Sequence, residues 1–209
     1  MVRILIADDH AIVRRGLRHI IHEEYPFAEI GEASDAEELV KKVIAQNWDV
    51  VICDLNMPGR SGIDAVKQIR QSFSKLPILI MSVYPEDQYA IRSLKAGAAG
   101  YLSKVSIHYD LIKAIQTVLN GKKFITPAIA EKVLDAFSNE HTGPPHESLS
   151  DREFEVFKLL ATGKTISEIA HQLSLSGNTV STYRSRVLDK MHLQSNADMT
   201  RYALERKLI

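Results

Sequence analysis

The 209-residue sequence has one cysteine, one tryptophan, no net formal charge and no apolar run long enough to cross a bilayer. A lone cysteine forbids a disulfide within the chain, which fits a reducing compartment. That cysteine, Cys53, sits inside an apolar run, where it is expected to be a small core residue rather than a reactive thiol. The chain has no signal-peptide pattern, so a soluble cytoplasmic protein is expected. Zero net charge removes any overall field that would hold the molecule to nucleic acid or an anionic membrane. Repeats and low-complexity tracts are missing as well, and an apolar content of 45% excludes global disorder. Charge is slightly uneven: residues 1–148 carry 17 Lys and Arg against 19 Asp and Glu, and residues 149–209 carry 9 against 7. The second balance is only a weak pointer to a nucleic-acid partner.

What is present is a fivefold alternation of strand-like and helix-like segments over residues 1–124. Strands are expected at Arg3–Ala7, Ala28–Ala33, Val50–Asp54, Pro77–Ser82 and Gly100–Ser103. Helices are expected at Ala11–Glu24, Ala36–Gln46, Ile63–Gln71, Asp87–Lys95 and His108–Asn120, the last closed by Gly121. Alternating β and α units predict an α/β domain with a doubly wound, flavodoxin-like parallel sheet covered on both faces. Thr126-Pro127 opens a further helix to about Phe137, with Thr as cap and Pro at the first helical position. Residues 138–148, polar and broken by Gly-Pro-Pro, read as a mobile linker. From Leu149 onward only helix starts appear. Ser150-Asp-Arg-Glu153 and Thr165-Ile-Ser-Glu168 fit capping boxes, and Ser176 and Ser195 fit N-caps. Four helices are expected, at Asp151–Ala161, Ile166–Leu173, Gly177–His192 and Asn196–Arg206, with a helix-turn-helix across Leu173–Ser176. The domains are thus drawn at 1–124, at a linker helix and linker over 125–148, and at 149–209.

Chemistry concentrates at strand ends. Asp8 and Asp9 follow the first strand, Asp54 ends the third, Ser82 the fourth, and Lys104 follows the fifth. Carboxylates at the carboxyl ends of parallel strands lie in the crevice where open α/β sheets bind ligands. Three of them would repel one another unless a hard cation shared them, and Mg2+ suits such a set. Each residue alone has a blander reading: a strand-end Asp is commonly a turn or cap residue, and a lone Lys a solvated charge. Their joint placement in strand order favours a site.

Residues 1–124, through Asp8-Asp9-His10, Asp54-Leu-Asn-Met-Pro-Gly59, Ser82 and Tyr101-Leu-Ser-Lys104, resemble the receiver domain of bacterial two-component response regulators. The full chain resembles the NarL/FixJ family. The resemblance implies that Asp54 accepts a phosphoryl group from a sensor histidine kinase. It implies Mg2+ on Asp9, Asp54 and the Asn56 carbonyl, with Asp8 acting through water. Ser82 and Lys104 would hold phosphoryl oxygens, and Ser82 with Tyr101 would form a switch whose ring turns inward on phosphorylation. By the same resemblance, Asn56 and Tyr84 occupy positions that tune phosphoryl lifetime in the family. The chemistry agrees, because phosphoryl transfer needs positioning and charge neutralisation around a carboxylate nucleophile. A phosphohydrolase reading is disfavoured. Such enzymes commonly carry a second Asp two residues on, and here Asn56 stands there. No conventional turnover enzyme is expected, though the acyl phosphate is expected to hydrolyse on the protein.

Residues 149–209 resemble the LuxR-type helix-turn-helix domain, through Leu149–Val156, Gly163–Ala170, Ser176–Val180 and Leu188–Met191. On a helical wheel Val180, Val187 and Met191 form the core stripe, and Ser181, Thr182, Ser185, Arg186 and Asp189 lie opposite. Ser181, Thr182 and Ser185 could face bases, and Thr179, Arg184, Arg186 and Lys190 are candidate phosphate contacts. Many family members have Lys and His where this chain has Ser181 and Tyr183, which weakens the electrostatic attraction. A homodimer on two half-sites of double-stranded DNA, formed on phosphorylation, is the expected assembly. The competing readings are a receiver whose helical end binds protein, and a DNA binder indifferent to phosphorylation.

Overall fold

Five short runs rich in Ile, Val and Leu pair into one parallel sheet in the order β2-β1-β3-β4-β5. The computed structural model describes residues 1–57, 60–84, 86–131 and 144–209, leaving aside the side chains of residues 87 and 88. The strands are β1 (Arg3–Ala7), β2 (Glu29–Ala33), β3 (Val50–Asp54), β4 (Ile78–Ser82) and β5 (Gly100–Ser103). Consecutive residues Ile4, Leu5 and Ile6 are all fully buried, as are Val50, Val51 and Ile52. A strand with no exposed alternate residue is covered on both faces, as a doubly wound sheet requires. The flavodoxin-like α/β fold is as expected.

The helices of this unit are α1 (Ala11–Glu24), α2 (Ala36–Ala45), α3 (Gly62–Ser72), α4 (Glu86–Lys95) and α5 (Ile107–Leu119). Leu17 and Ile21 of α1 join Leu111, Ala114, Ile115 and Val118 of α5 over Ile4, Ile6, Ile52, Leu79 and Met81. Elements start or end within one residue of the expected bounds. Pro77 falls just outside β4, yet its carbonyl still accepts from Val51 N at 2.9 Å. Cys53 is fully buried, and burial pushes its thiol up, so it remains neutral packing. The helix expected at Pro127 begins there, with Thr126 Oγ1 accepting from Ile129 N, and its course beyond residue 131 lies outside the described residues.

Chain contacts divide the protein into Met1–Leu134 and Asp135–Ile209. The second unit is all-α: α6 (Asp151–Ala161), α7 (Ile166–Leu173), α8 (Gly177–Met191) and α9 (Asn196–Glu205). Both expected capping boxes form, and Ser176 and Ser195 cap α8 and α9. Ser174 adopts φ 54°, turning the chain between α7 and α8 as the helix-turn-helix needs. The linker segment expected over 138–148 is corrected at its end, because Pro145–Ser148 forms a 3-10 turn. Pro145 opens that turn and Ser148 Oγ donates to the Pro145 carbonyl at 2.7 Å. His146 then packs beside Phe154 and Tyr202, with Nδ1 2.9 Å from the Tyr202 hydroxyl. Residues 138–143 lie outside the description. Among the described residues no helix is long and apolar enough to cross a membrane.

One contact places the third strand's tip. A Cβ built on Gly62, the first residue of α3, would lie 2.2 Å from the Asp54 carbonyl oxygen. Gly62 N donates to the Leu55 carbonyl at 2.8 Å, so α3 begins in backbone contact with the end of β3. Gly62→Ala is therefore expected to lower stability by about 1–3 kcal/mol, read as a lower urea midpoint, because backbone atoms must shift to make room.

Candidate functional site

Sheet register brings the strand-end residues together. Ala7 pairs with Cys53, so Asp8 and Asp54 leave neighbouring strands side by side at the point where strand order reverses. Asp54 pairs with Met81 and Ser82 with Ser103, which carries Ser82 and Lys104 to the same end of the sheet. Lys104 Nζ lies 2.7 Å from Asp8 Oδ2 and 2.9 Å from Asp54 Oδ2. Asp8 is fully buried and Asp54 is 2% exposed. Burial raises the Asp54 carboxyl to about 6, with the Asp8 charge adding to the rise, although Lys104 and the Asn56 backbone N–H pull it down. Burial alone would lower Lys104, but its contacts with Asp8 and Asp54 outweigh that and hold it above the ordinary lysine value.

Asp8 is fixed from several sides. Its Oδ1 accepts from His10 N at 2.8 Å, and its carbonyl accepts from Arg14 Nη1 at 2.7 Å. Arg14 Nε donates to Glu32 Oε2 at 2.9 Å. His10 Nδ1 lies 2.7 Å from Asp9 Oδ1. Among the described residues, Asp8, Asp9 and His10 form a group whose ligand atoms lie within 4.8 Å of one another. Asp54 is outside that group, and Lys104 Nζ contacts both it and Asp8. The donor chemistry nevertheless fits a hard dication: Asp8, Asp9 and Asp54 offer three carboxylates near one ammonium, and two of them are buried. Neither Arg14 nor His10 was identified from sequence as a site residue. Arg14 reads there as one more charge on an amphipathic helix, and only the fold brings it to the Asp8 backbone.

Ser82 is buried, and its Oγ accepts from Tyr84 N at 3.1 Å. Tyr101 is fully buried and donates its hydroxyl to the Tyr84 carbonyl at 2.9 Å. The ring is turned inward, the orientation the switch reading gives the phosphorylated state. The Tyr84 ring stacks on Tyr89 of α4 at 5.0 Å between centroids. Glu86, at the start of α4, accepts from Thr126 Oγ1 at 2.6 Å.

In the second unit α8 presents the expected faces. Val180, Val187 and Met191 are buried, and Ser181, Thr182, Ser185 and Arg186 are exposed. Thr179 is half-buried, with its hydroxyl 2.8 Å from Ser176 Oγ in the cap. Two candidate phosphate contacts have internal partners. Arg184 Nε donates to Asn196 Oδ1 at 2.7 Å, and Lys190 Nζ lies 2.7 Å from Glu153 Oε2. Glu153, buried on α6, also accepts from Ser150 N at 2.8 Å. Burial pushes its carboxyl up, but Lys190 and Ser150 outweigh this and leave it below the ordinary value. The capping box identified Glu153 as a cap; its second role, as the counter-charge to Lys190, needed the packing of α6 on α8.

Two family descriptions match the chain: "Response regulator receiver domain" over residues 4–116, and "Bacterial regulatory proteins, luxR family" over 147–203. Response regulator UvrY of Escherichia coli K12 is 34% identical over 209 residues, covering 100% of this chain and 96% of that protein. The oxygen regulatory protein NreC of Staphylococcus carnosus is 35% identical over 215 residues, covering 100% of this chain and 99% of its own length. Among solved structures, RcsB of Salmonella enterica serovar Typhimurium, bound to promoter rprA with the phosphomimetic BeF3-, superposes with a TM-score of 0.66. Its identity is 27%, with 97% of this chain and 98% of that chain covered.

The electrostatics set two expectations. The Asp54 carboxyl has a raised folded value, about 6 against an ordinary 3.8, so it leaves stability intact below pH 3.8 and reduces it as pH climbs through 6. Asp54→Asn in EDTA should therefore exceed the wild type by about 2–3 kcal/mol at pH 7.5, a gain that vanishes toward pH 4 in urea melts. Glu153, with a lowered value, contributes stability above the unfolded carboxyl range that is lost on acidification. Lys190→Met leaves its buried carboxylate short of one partner, and a loss of about 1–3 kcal/mol at pH 7, shrinking in acid, is expected from the same assay.

Proposed function

This chain belongs to the two-component response regulators of the NarL/FixJ family, with a receiver domain joined to a LuxR-type DNA-binding domain, and we propose that Mg2+-dependent phosphorylation of Asp54 governs its binding to DNA. The supporting observation is the Lys104 ammonium held between Asp8 and Asp54 in a buried crevice. We draw the domains at 1–124 and 149–209, with a linker helix and linker from 125 and the Pro145–Ser148 turn packed on the second domain.

In this reading an Asp54 carboxylate oxygen attacks the phosphorus of a phosphohistidine on a sensor kinase. The P–O bond forms as the P–N bond breaks, and the imidazole leaves with the bonding pair and takes up a proton. Asp9, Asp54 and the Asn56 carbonyl would hold Mg2+, with Asp8 acting through water, and the ion supplies the charge that lets the anionic donor approach. Lys104 supplies the protein's own positive charge at the phosphoryl oxygens. Ser82 can turn its hydroxyl from the Tyr84 backbone toward the same oxygens. Because Tyr101 is held on the Tyr84 carbonyl, release of Ser82 disturbs a residue that touches both the switch ring and α4. Glu86 then links α4 to Thr126, where the linker helix starts. Hydrolysis of the acyl phosphate returns Asp54 to its resting form, so the protein accepts and loses phosphate without being a conventional turnover enzyme.

For the output, Ser181, Thr182 and Ser185 would face bases, while Thr179, Arg184, Arg186 and Lys190 would touch phosphates, Lys190 with the donors Glu153 leaves it. RcsB bound to promoter DNA supports this use of the helical unit. Phosphorylation would favour a homodimer on two half-sites in the cytoplasm, where kinase and DNA meet it.

The test is intact-mass measurement with Mg2+ and acetyl phosphate, beside gel shifts on promoter DNA. Wild type should gain one phosphate and bind DNA at least roughly tenfold more tightly, a factor worth 1.4 kcal/mol. Asp54→Ala should gain none and keep the weaker affinity. A phosphate elsewhere than Asp54, or equal binding by the two proteins under phosphorylating conditions, refutes the reading.

A further inference from the structure

Arg14 sits where no phosphoryl chemistry requires a cation, yet it is built into the acidic crevice. Its Nη1 donates to the Asp8 carbonyl at 2.7 Å and its Nε to Glu32 Oε2 at 2.9 Å. Its side chain is 16% exposed, and Arg18 reaches the other Glu32 oxygen at 3.5 Å. One rigid fork thus ties α1 and the edge strand β2 to the residue at which β1 ends and the acidic pair begins. The Asp8 N–H is engaged with the Ala33 carbonyl at 3.1 Å, so both backbone groups of Asp8 are fixed, one by the sheet and one by Arg14.

We propose that Arg14, backed by Glu32, is a positioning residue for the divalent cation: it sets the backbone from which Asp8 and Asp9 project. This rests on the Mg2+ reading given above. Two effects oppose each other here, and their signs differ. As a charge, a guanidinium beside an acidic crevice repels a dication, so removing it would tighten binding. As a clamp, it keeps two carboxylates aligned, so removing it would loosen binding. Glu32, shared with Arg18, offsets only part of the charge, but a partner that orients metal ligands typically changes metal affinity by about 10–100-fold. Positioning should therefore dominate. Lysine keeps the charge but cannot donate to the Asp8 carbonyl and Glu32 in the same fixed fork.

The experiment is calorimetric titration of Mg2+ into the full-length chain without phosphodonor, for wild type, Arg14→Ala and Arg14→Lys, with thermal melts of each in EDTA. Roughly tenfold weaker Mg2+ binding by both variants is expected. Tighter binding by Arg14→Ala with unchanged binding by Arg14→Lys would show a role through charge alone and overturn the proposal. Equal affinities in all three proteins would overturn it too. Wild type that binds no Mg2+ would instead remove the metal reading itself, and the proposal with it. If Arg14→Ala fails to fold, Arg14→Lys, which keeps the charge and the aliphatic stem, decides the matter.

Discussion

Two carboxylates buried side by side at the reversal of strand order are the constraint on which the first unit depends. Asp8 and Asp54 emerge from neighbouring strands into a place with almost no water, where like charges raise each other's free energy. Lys104, arriving from the last strand, is the main offset. Its reach across the sheet explains why β1, β3 and β5 must all end at the same level. The offset is incomplete, because one ammonium faces two buried carboxylates. A crevice left short of positive charge would receive the proposed cation and, through it, an anionic phosphoryl donor. The same shortfall makes the resting site a source of destabilisation rather than of stability.

The second dependency runs through Tyr84. Its N–H serves the Ser82 hydroxyl, its carbonyl serves the Tyr101 hydroxyl, and its ring lies on Tyr89. Two residues later Glu86 holds Thr126. Tyr101 lies buried inward, so its hydroxyl and that of Ser82 both rest on the Tyr84 backbone. Chain geometry then allows a single hydroxyl's change of partner to reach α4 and the cap residue of the next helix. This describes contiguity; energetic coupling along it requires that these contacts have two arrangements.

Much of this was legible in the sequence, for reasons that can be named. Apolar runs ending in Asp8 and Asp54 gave strands and their chemistry together, because a buried parallel strand is apolar throughout and becomes polar only at its tip. Ser150, Thr165, Ser176 and Ser195 marked helix starts because orphan N–H groups need acceptors at those points. Contacts between elements distant in sequence stayed hidden. No local pattern tells that Arg14 bonds the Asp8 carbonyl, that a Cβ on Gly62 would strike Asp54, or that Lys190 is already paired with Glu153. The turn at Pro145–Ser148 was read as linker because its stabilising partner, Tyr202, lies more than fifty residues away.

The charge accounting of the second unit bears on how it holds DNA. Lys190 faces a buried carboxylate and Arg184 an asparagine oxygen, so two of the cations of α8 have internal partners. Ser181 adds none. Phosphate neutralisation supplies most non-specific affinity, and it grows with the number of cations that reach the backbone. A unit holding few such groups binds weakly alone and gains disproportionately from a second copy, since linked sites convert the second contact into an intramolecular one. In the proposed homodimer, sparse charge on α8 would make occupancy depend on pairing more than it would in a strongly basic domain. Such a dependence would suit the proposed regulation, because a receiver that controlled only the pairing of two copies would then control the whole of the binding.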